Sequence, residues 1–295
     1  MTVFPGLRLY TPRTSIRSWG PRFACPGLSS TRPSGTKCHS PASVWRRFFS
    51  TLLVAAFIAP ACAQQPLRVA AAADLEPVLP PILAQFERQT GIDAEATYQA
   101  SAMLTAQIEN GAPFDLFLSA DVGFPERLIT AHLTVESAPV LYAKGTLVLW
   151  ERKDSHLPPP SLALLRDPGL KRLAIANPEH APYGRAAVAA LTSLHLDEAL
   201  KPQIVTAENI AQAAQFVDSG NADAGLISLT AALTPKLAQS GTYFEIPRNL
   251  YPPIEQGAVI VKSAGQHAAA QELLDFLLSA PVQAELAKSG LTPVK

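Results

Sequence analysis

Along residues 67–120 the apolar positions switch repeatedly between two periods. The runs "LRVAAAA" (67–73), "DAEATYQ" (93–99) and "FDLFLSA" (114–120) have the length and composition of extended strands. Between them, "PPILAQFERQTG" (80–91) and "SAMLTAQIENG" (101–111) repeat their apolar residues at helical spacing. Strand and helix in alternation predict an α/β fold with mostly parallel sheet, because a parallel strand pair needs a connection long enough to hold a helix. Gly91 and Gly111 stand where the two helices should end, since a helix commonly stops at a residue that tolerates the left-handed conformation.

A longer extended run, "VLYAKGTLVLW" (140–150), and a Pro-rich loop, "HLPPPS", precede a second series. In it "KRLAIANPEHAPYGRAAVAALTSL" (171–194), "PQIVTAENIAQAAQFVDSG" (202–220) and "ADAGLISLTAAL" (222–233) again place a strand before a helix. After "YFEIPRNLYPPIEQGAVIVKSAG" the chain ends in two helical stretches, "QHAAAQELLDFLLSA" and "PVQAELAKSG". The first series alone is small for an independent core, so these helices are expected to return to it. The expected organisation is two lobes, 66–143 plus 253–295 and 144–252. Each is a mostly parallel sheet flanked by helices, and two crossovers join them with a ligand cleft between.

Charge is distributed unevenly. The 295 residues hold 24 basic and 24 acidic side chains, but eight of the bases and none of the acids fall in residues 1–63. Residues 64–295 therefore carry about −8, which argues against nucleic acid or an anionic membrane as the partner. Within the basic segment, "VWRRFFSTLLVAAFIAPACA" (44–63) sets Arg46 and Arg47 before an apolar run from Phe48 to Ala59 and closes on Ala61-Cys62-Ala63. That is the order of a secretory signal peptide, with cleavage before Gln64 and a periplasmic product. The apolar run is too short to span a bilayer, which takes about 20 residues. Residues 1–43, rich in Pro, Ser and Arg and without periodicity, read as a non-native or disordered leader, with translation beginning near Val44. Cys25, Cys38 and Cys62 all precede the cut, so the mature chain is expected to have no disulfide, thiolate metal site or cysteine nucleophile.

The mature sequence contains no G-x-S-x-G, S-x-x-K, Walker, G-x-G-x-x-G or H-E-x-x-H pattern. Its histidines (His132, His156, His180, His195 and His267) are scattered and read as surface or loop residues. Four strand-to-helix junctions are more informative: Ala73-Asp74-Leu75, Ala100-Ser101-Ala102, Ala181-Pro182-Tyr183-Gly184 and Glu208-Asn209-Ile210. Each puts a helix N-terminus, with unpaired amides and the positive end of the dipole, at the carboxyl edge of a sheet. Singly, Asp74, Ser101 and Asn209 read as ordinary N-caps. Four such ends facing one cleft would bind a small oxyanion through neutral donors.

The stretches "AAADLEPVL", "ASAMLTAQIENGAPFDLFLSAD", "AIANPEHAPYGRAA", "TAENIAQAAQFV" and "YPPIEQGAVIV" resemble the periplasmic molybdate-binding proteins of ABC transporters, over about Leu67 to Thr292. The resemblance implies the type II periplasmic binding fold. It also implies a tetrahedral oxyanion, molybdate or tungstate, held by serine hydroxyls and helix-end amides without counter-charges. The implied ligand-binding residues are Asp74, Ser101 (hydroxyl and amide), Tyr183 (amide), Ile210 (amide) and Ser228. A membrane permease would be the partner, the protein would be a monomer, and neither enzymatic activity nor a cofactor is expected.

Two of these positions depart from the family pattern. Asp74 stands where many members have a serine, and Ser228 where many have a tyrosine whose hydroxyl reaches the anion. A carboxylate about 4 Å from an anion is repelled by several kcal/mol per unit charge at an effective dielectric near 20. Three arrangements reconcile Asp74 with an oxyanion. It caps its own helix and offers only its amide, which is the preferred reading; it is protonated and donates to an oxo group; or, as in archaeal relatives that hold tungstate, it binds the metal of the oxyanion directly. The alternative ligands are a hard cation such as ferric iron, held by Asp74 with Tyr98 or Tyr183, or else sulfate or an organic acid. An exported hydrolase using Asp74 or Ser101 lacks a base partner at recognisable spacing.

Overall fold

A computed structural model describes residues 65–294; the leader and signal segment expected at 1–63 lie outside the described residues. Strands β1 (Leu67–Ala72), β2 (Ala94–Gln99) and β3 (Leu116–Leu118) alternate with helices α1 (Leu79–Thr90), α2 (Ser101–Glu109) and α3 (Gly123–Thr130). The extended run at 140–150 breaks at Thr146 into β4 (Val140–Gly145) and β5 (Leu147–Arg152), which belong to different sheets. There follow β6 (Leu173–Ala176), α4 (Pro182–Ser193), α5 (Asp197–Leu200), β7 (Ile204–Ala207), α6 (Ile210–Asp218), β8 (Ala224–Ser228), α7 (Leu229–Ala232), α8 (Pro235–Ser240) and β9 (Gly241–Glu245). The chain returns through β10 (Ile254–Ile260) to α9 (His267–Leu277) and α10 (Ala280–Lys288).

The first sheet has the order β2-β1-β3-β10-β4 and the second β7-β6-β8-β5-β9. In each, the three strands of an unbroken strand-helix series pair in parallel, and the fourth runs against them. That reversed strand is the first one laid down after the chain crosses: β5 on leaving the first sheet, β10 on returning to it. The edge strands β4 and β9 are antiparallel to the reversed strand and so run with the rest. The two crossings lie side by side. The Leu147 amide donates to the Tyr251 hydroxyl at 3.1 Å and the Ile246 amide to the Leu147 carbonyl at 3.0 Å.

Alternation along the strands sends successive side chains to opposite faces. In the first sheet Leu67, Val69, Ala71, Leu116 and Leu118 pack with Ile82, Leu83 and Phe86 of α1 and with Leu273, Leu277 and Leu286 of α9 and α10. Ala70, Phe117 and Val259 pack on the other face with Leu104, Ile108 and Leu128 from α2 and α3. The core of the second sheet continues to Ala72, Ala73, Ala100 and Ala120, the loop ends of the first, so the two sheets share buried surface where they meet. Gly91 ends α1 in the left-handed conformation (φ 75°), and Gly111 is left-handed just beyond α2.

Gly184, in the first turn of α4, lies so close to the end of β6 that any Cβ would collide with the Ala176 carbonyl oxygen. This approach sets the height of the α4 N-terminus above the sheet edge. Gly184→Ala is expected to lower the stability measured by urea unfolding by about 1–3 kcal/mol through over-packing. Gly265→Ala, where nothing lies within 4 Å, is the control and should change it little.

Candidate functional site

The stretch after β1 does not begin an α-helix at Asp74. Ala73–Leu75 form one short 3-10 turn, and α1 starts only at Leu79 with Pro80 and Pro81 in its first turn. A helix running on from Asp74 would need amides at residues 80 and 81, which proline lacks; in a first turn those donors are not used. The expectation of four α-helix N-termini is therefore corrected to three, together with a tight turn that carries Asp74.

The three helices begin as the junctions predict, with one correction to the caps. Only Asn209 caps its helix, accepting from the Gln212 amide at 2.9 Å. Ser101 is the first residue of α2 after an Ala100 N-cap, and its hydroxyl accepts from the Ala120 amide at 3.1 Å, which leaves its proton free to donate. The first helical donors are Met103, Gly184 and Ala213, so the amides of Ser101, Tyr183 and Ile210 precede the intrahelical bonds. These ends meet at the carboxyl edges of both sheets around one cavity of about 10 Å³, roughly room for one water. It is lined by Ala72, Ala73, Asp74, Gln99, Ala100, Ser101 and Ala120 from one side and Ala181, Pro182, Tyr183, Asn209 and Ile210 from the other. A larger hollow of about 400 Å³, between Pro77 and Leu237, includes Lys236, but that cation is paired with Asp218 at 2.5 Å.

Asp74 is 1% exposed, and its carboxylate does not cap its own turn, contrary to the preferred reading of the sequence. Its Oδ2 accepts from the Tyr183 hydroxyl at 3.1 Å and from the Gln256 side-chain amide, while its Oδ1 has no partner among the described residues. Burial raises its pKa to about 6, and hydrogen bonds from Gln256, Tyr183 and its own backbone amide oppose that rise without cancelling it. Burial and the Asp74 charge hold the Tyr183 hydroxyl well above the usual tyrosine range, so it stays a donor. Tyr142 is likewise shifted up by burial and by Asp74, and it donates to the Ser119 carbonyl.

Residues 67–292 match the family model described as bacterial extracellular solute-binding protein. The molybdate-binding protein ModA of Azotobacter vinelandii is 40% identical over 219 residues, 74% of this chain and 86% of that protein. The ModA of Rhodobacter capsulatus is 35% identical over 76% of this chain and 87% of its own length. The chain belongs to the bacterial extracellular solute-binding proteins. Among solved structures of the family, the Azotobacter vinelandii periplasmic molybdate-binding protein superposes with a TM-score of 0.73 at 32% identity, covering 78% of this chain and all of that one.

In a solute-binding protein of two sheets, the contacts across the cleft are the ones that hold it shut. Here Tyr183 reaches Asp74, the Thr230 hydroxyl donates to the Asp74 carbonyl at 2.8 Å, and the Ala102 amide donates to the His180 carbonyl at 3.1 Å. At the rim Arg185 of α4 pairs with Asp121 and lies 5.2 Å over the Phe124 ring. Asp121 is itself fixed by the Ser119 hydroxyl and the Phe124 amide.

Of the five residues singled out from the sequence, Asp74, Ser101, Tyr183 and Ile210 line the cavity and Ser228 does not. Ser228 ends β8 and caps α7: its hydroxyl accepts from the Ala231 amide at 3.3 Å and lies 2.9 Å from the Thr230 hydroxyl, to which it can donate because the Thr230 proton goes to the Asp74 carbonyl. A serine before a helix finds that bond locally, where a tyrosine would have to extend past it. Gln256 and Tyr142 were missed, and the Tyr183 hydroxyl, expected beside Asp74 only as a cation ligand, instead donates to its carboxylate. The available signal was a glutamine inside the apolar run "IEQGAVI", next to the glycine where the β10–β4 register shifts.

Ionising Asp74 costs more in the folded chain than in the unfolded one, so the folded chain keeps its proton to higher pH. Stability should therefore fall as pH rises from 3.8 to about 6 and stay level above that. Asp74→Asn, of the same shape and never charged, removes the loss. In thermal or urea unfolding without ligand its advantage over wild type should be absent near pH 4 and reach on the order of 3 kcal/mol at most by pH 7.

Proposed function

We propose that the protein captures molybdate or tungstate between its two sheets, in the periplasm after export through residues 44–63, and delivers it to the permease of an ABC importer. It acts as a binding component and not as an enzyme. The observation that carries this reading is the meeting of three helix N-termini and the Ser101 hydroxyl on one small cavity with no Lys or Arg in its lining. Such a site favours a compact anion, because amides and a hydroxyl solvate negative charge from several sides at once. The 40% and 35% identical relatives named for molybdate point to the same cargo. For ferric iron the site offers one carboxylate, Asp74, whose tyrosine neighbour is already bound to it.

The ligands contribute differently. Ser101 supplies a hydroxyl proton and an amide, and Tyr183 and Ile210 supply amides at the starts of α4 and α6. Delivery requires opening, and the Arg185–Asp121 pair at the rim is among the contacts that must break.

Thermal-shift and calorimetric titrations with molybdate, tungstate, sulfate, phosphate and ferric citrate test the reading. Molybdate and tungstate should each raise the melting temperature, ligand at 100 times its Kd adding about 2.7 kcal/mol of stability. Ser101→Ala should lose about 1.5–3 kcal/mol of binding, a hydrogen bond to a charged group. If neither molybdate nor tungstate moves the wild-type transition, the proposed cargo is wrong.

A further inference from the structure

We propose that Asp74 takes part in the site as a neutral carboxylic acid that donates its Oδ1 proton to an oxygen of the bound oxyanion, so that capture of the anion is coupled to uptake of one proton. The inference rests on the function proposed above. Its geometry is specific. Oδ2 already accepts two hydrogen bonds from neutral donors, the Tyr183 hydroxyl and the Gln256 amide, as the carbonyl-like oxygen of an acid would. Oδ1 is buried and without a partner among the described residues, and Asp74 lines the cavity. An ionised carboxylate would leave that oxygen as a bare acceptor facing an anion, whereas a protonated one supplies the donor that the site needs there.

Among the described residues no charged group offsets the burial that favours the neutral form; only hydrogen bonds from neutral donors work against it. Tyr183 of α4 and Tyr142 of β4 are uncharged, with pKa values held high chiefly by burial. Gln256 of β10 cannot ionise, and Thr230 of α7 is uncharged, its hydroxyl donating to the Asp74 backbone carbonyl. Glu76, two residues on, is an acid, and Tyr251 bonds the Leu147 amide. Arg185 is committed to Asp121 at the rim, and Asp74 has no ion pair among the described residues. His180 borders the cleft through its carbonyl, with its ring against Asn177. Desolvation already moves Asp74 to about 6 in the ligand-free protein, and an anion placed beside Oδ1 raises it further, so binding and protonation reinforce each other.

The experiment is isothermal titration of the mature protein with molybdate from pH 5.5 to 8.5, run at each pH in buffers of different ionisation enthalpy. The wild-type Kd should rise as pH climbs above about 6, by up to about tenfold per unit, with close to one proton taken up per anion near pH 7.5. Asp74→Asn, which keeps a donor at that position, should bind with a Kd that varies by less than about threefold over the range and with no proton uptake. This variant also absorbs any contribution from His180. Asp74→Ala, lacking the donor, should be pH-independent and weaker than Asp74→Asn. A wild-type Kd and proton count unchanged with pH, or the same slope in Asp74→Asn, would overturn the inference while leaving the oxyanion cargo intact. No molybdate binding at any pH would instead overturn the function on which it rests.

Discussion

A carboxyl group buried where the two sheets meet, with no cation beside it, is the constraint from which the rest of the site follows. Asp74 cannot be solvated by water and has no ion-pair partner among the described residues, so its polar atoms are met by Tyr183, Gln256 and Thr230. Two of those partners, Tyr183 and Thr230, come from the second sheet. Satisfying one buried acid therefore draws the sheets together, and the same bonds close the cleft. Breaking them to open the cleft exposes Asp74 to water, which lowers the cost of its charge. Closure and the protonation state of this side chain are thus linked by burial alone.

The fold makes such a meeting point without long-range contrivance. Each sheet carries an unbroken strand-helix series, and the parallel strands of a series all present their carboxyl ends at one edge. Crossing at Thr146 and returning after β9 sets the two edges against each other, and the reversed strands β5 and β10 are the direct trace of those crossings. β10 then brings Gln256 to Asp74 from a position 182 residues away in the chain. The hinge bond between Leu147 and Tyr251 ties the crossings to each other, so movement of one sheet relative to the other bends both together.

Much of this was legible in the sequence, because period and punctuation are local. The strands and helices of both series, the left-handed Gly91 and the starts of α2, α4 and α6 all follow from residues within one turn of the feature. The failures share a cause as well. Asp74 looked like a cap because an acid before a helical run usually is one, but Pro80 and Pro81 moved the helix start to Leu79 and left the carboxylate unclaimed by its own backbone. The family resemblance implies a ligand role for Ser228, yet its hydroxyl is taken by the amide of Ala231. Gln256 and Tyr142 come from β10 and β4 of the sheet that carries Asp74, far from it in the chain, and the glutamine in "IEQGAVI" announces a buried polar group without naming its partner.

The exchange of a simple hydroxyl for a carboxyl at this position changes the character of the site more than its shape. A serine donates at any pH and asks for nothing in return. An acid donates only while it holds its proton, and once ionised it changes from donor to repelling charge, so the penalty is both a lost hydrogen bond and a Coulombic term in a poorly screened cavity. Such a residue is tolerable only where burial keeps the proton on, and Asp74 has that burial only when Tyr183 and Thr230 cover it. In the proposed binding mode ligand, proton and closure form one cooperative set, in which each of the three makes the other two more favourable, while Ser101 and the helix amides would supply the part of the affinity that does not depend on pH.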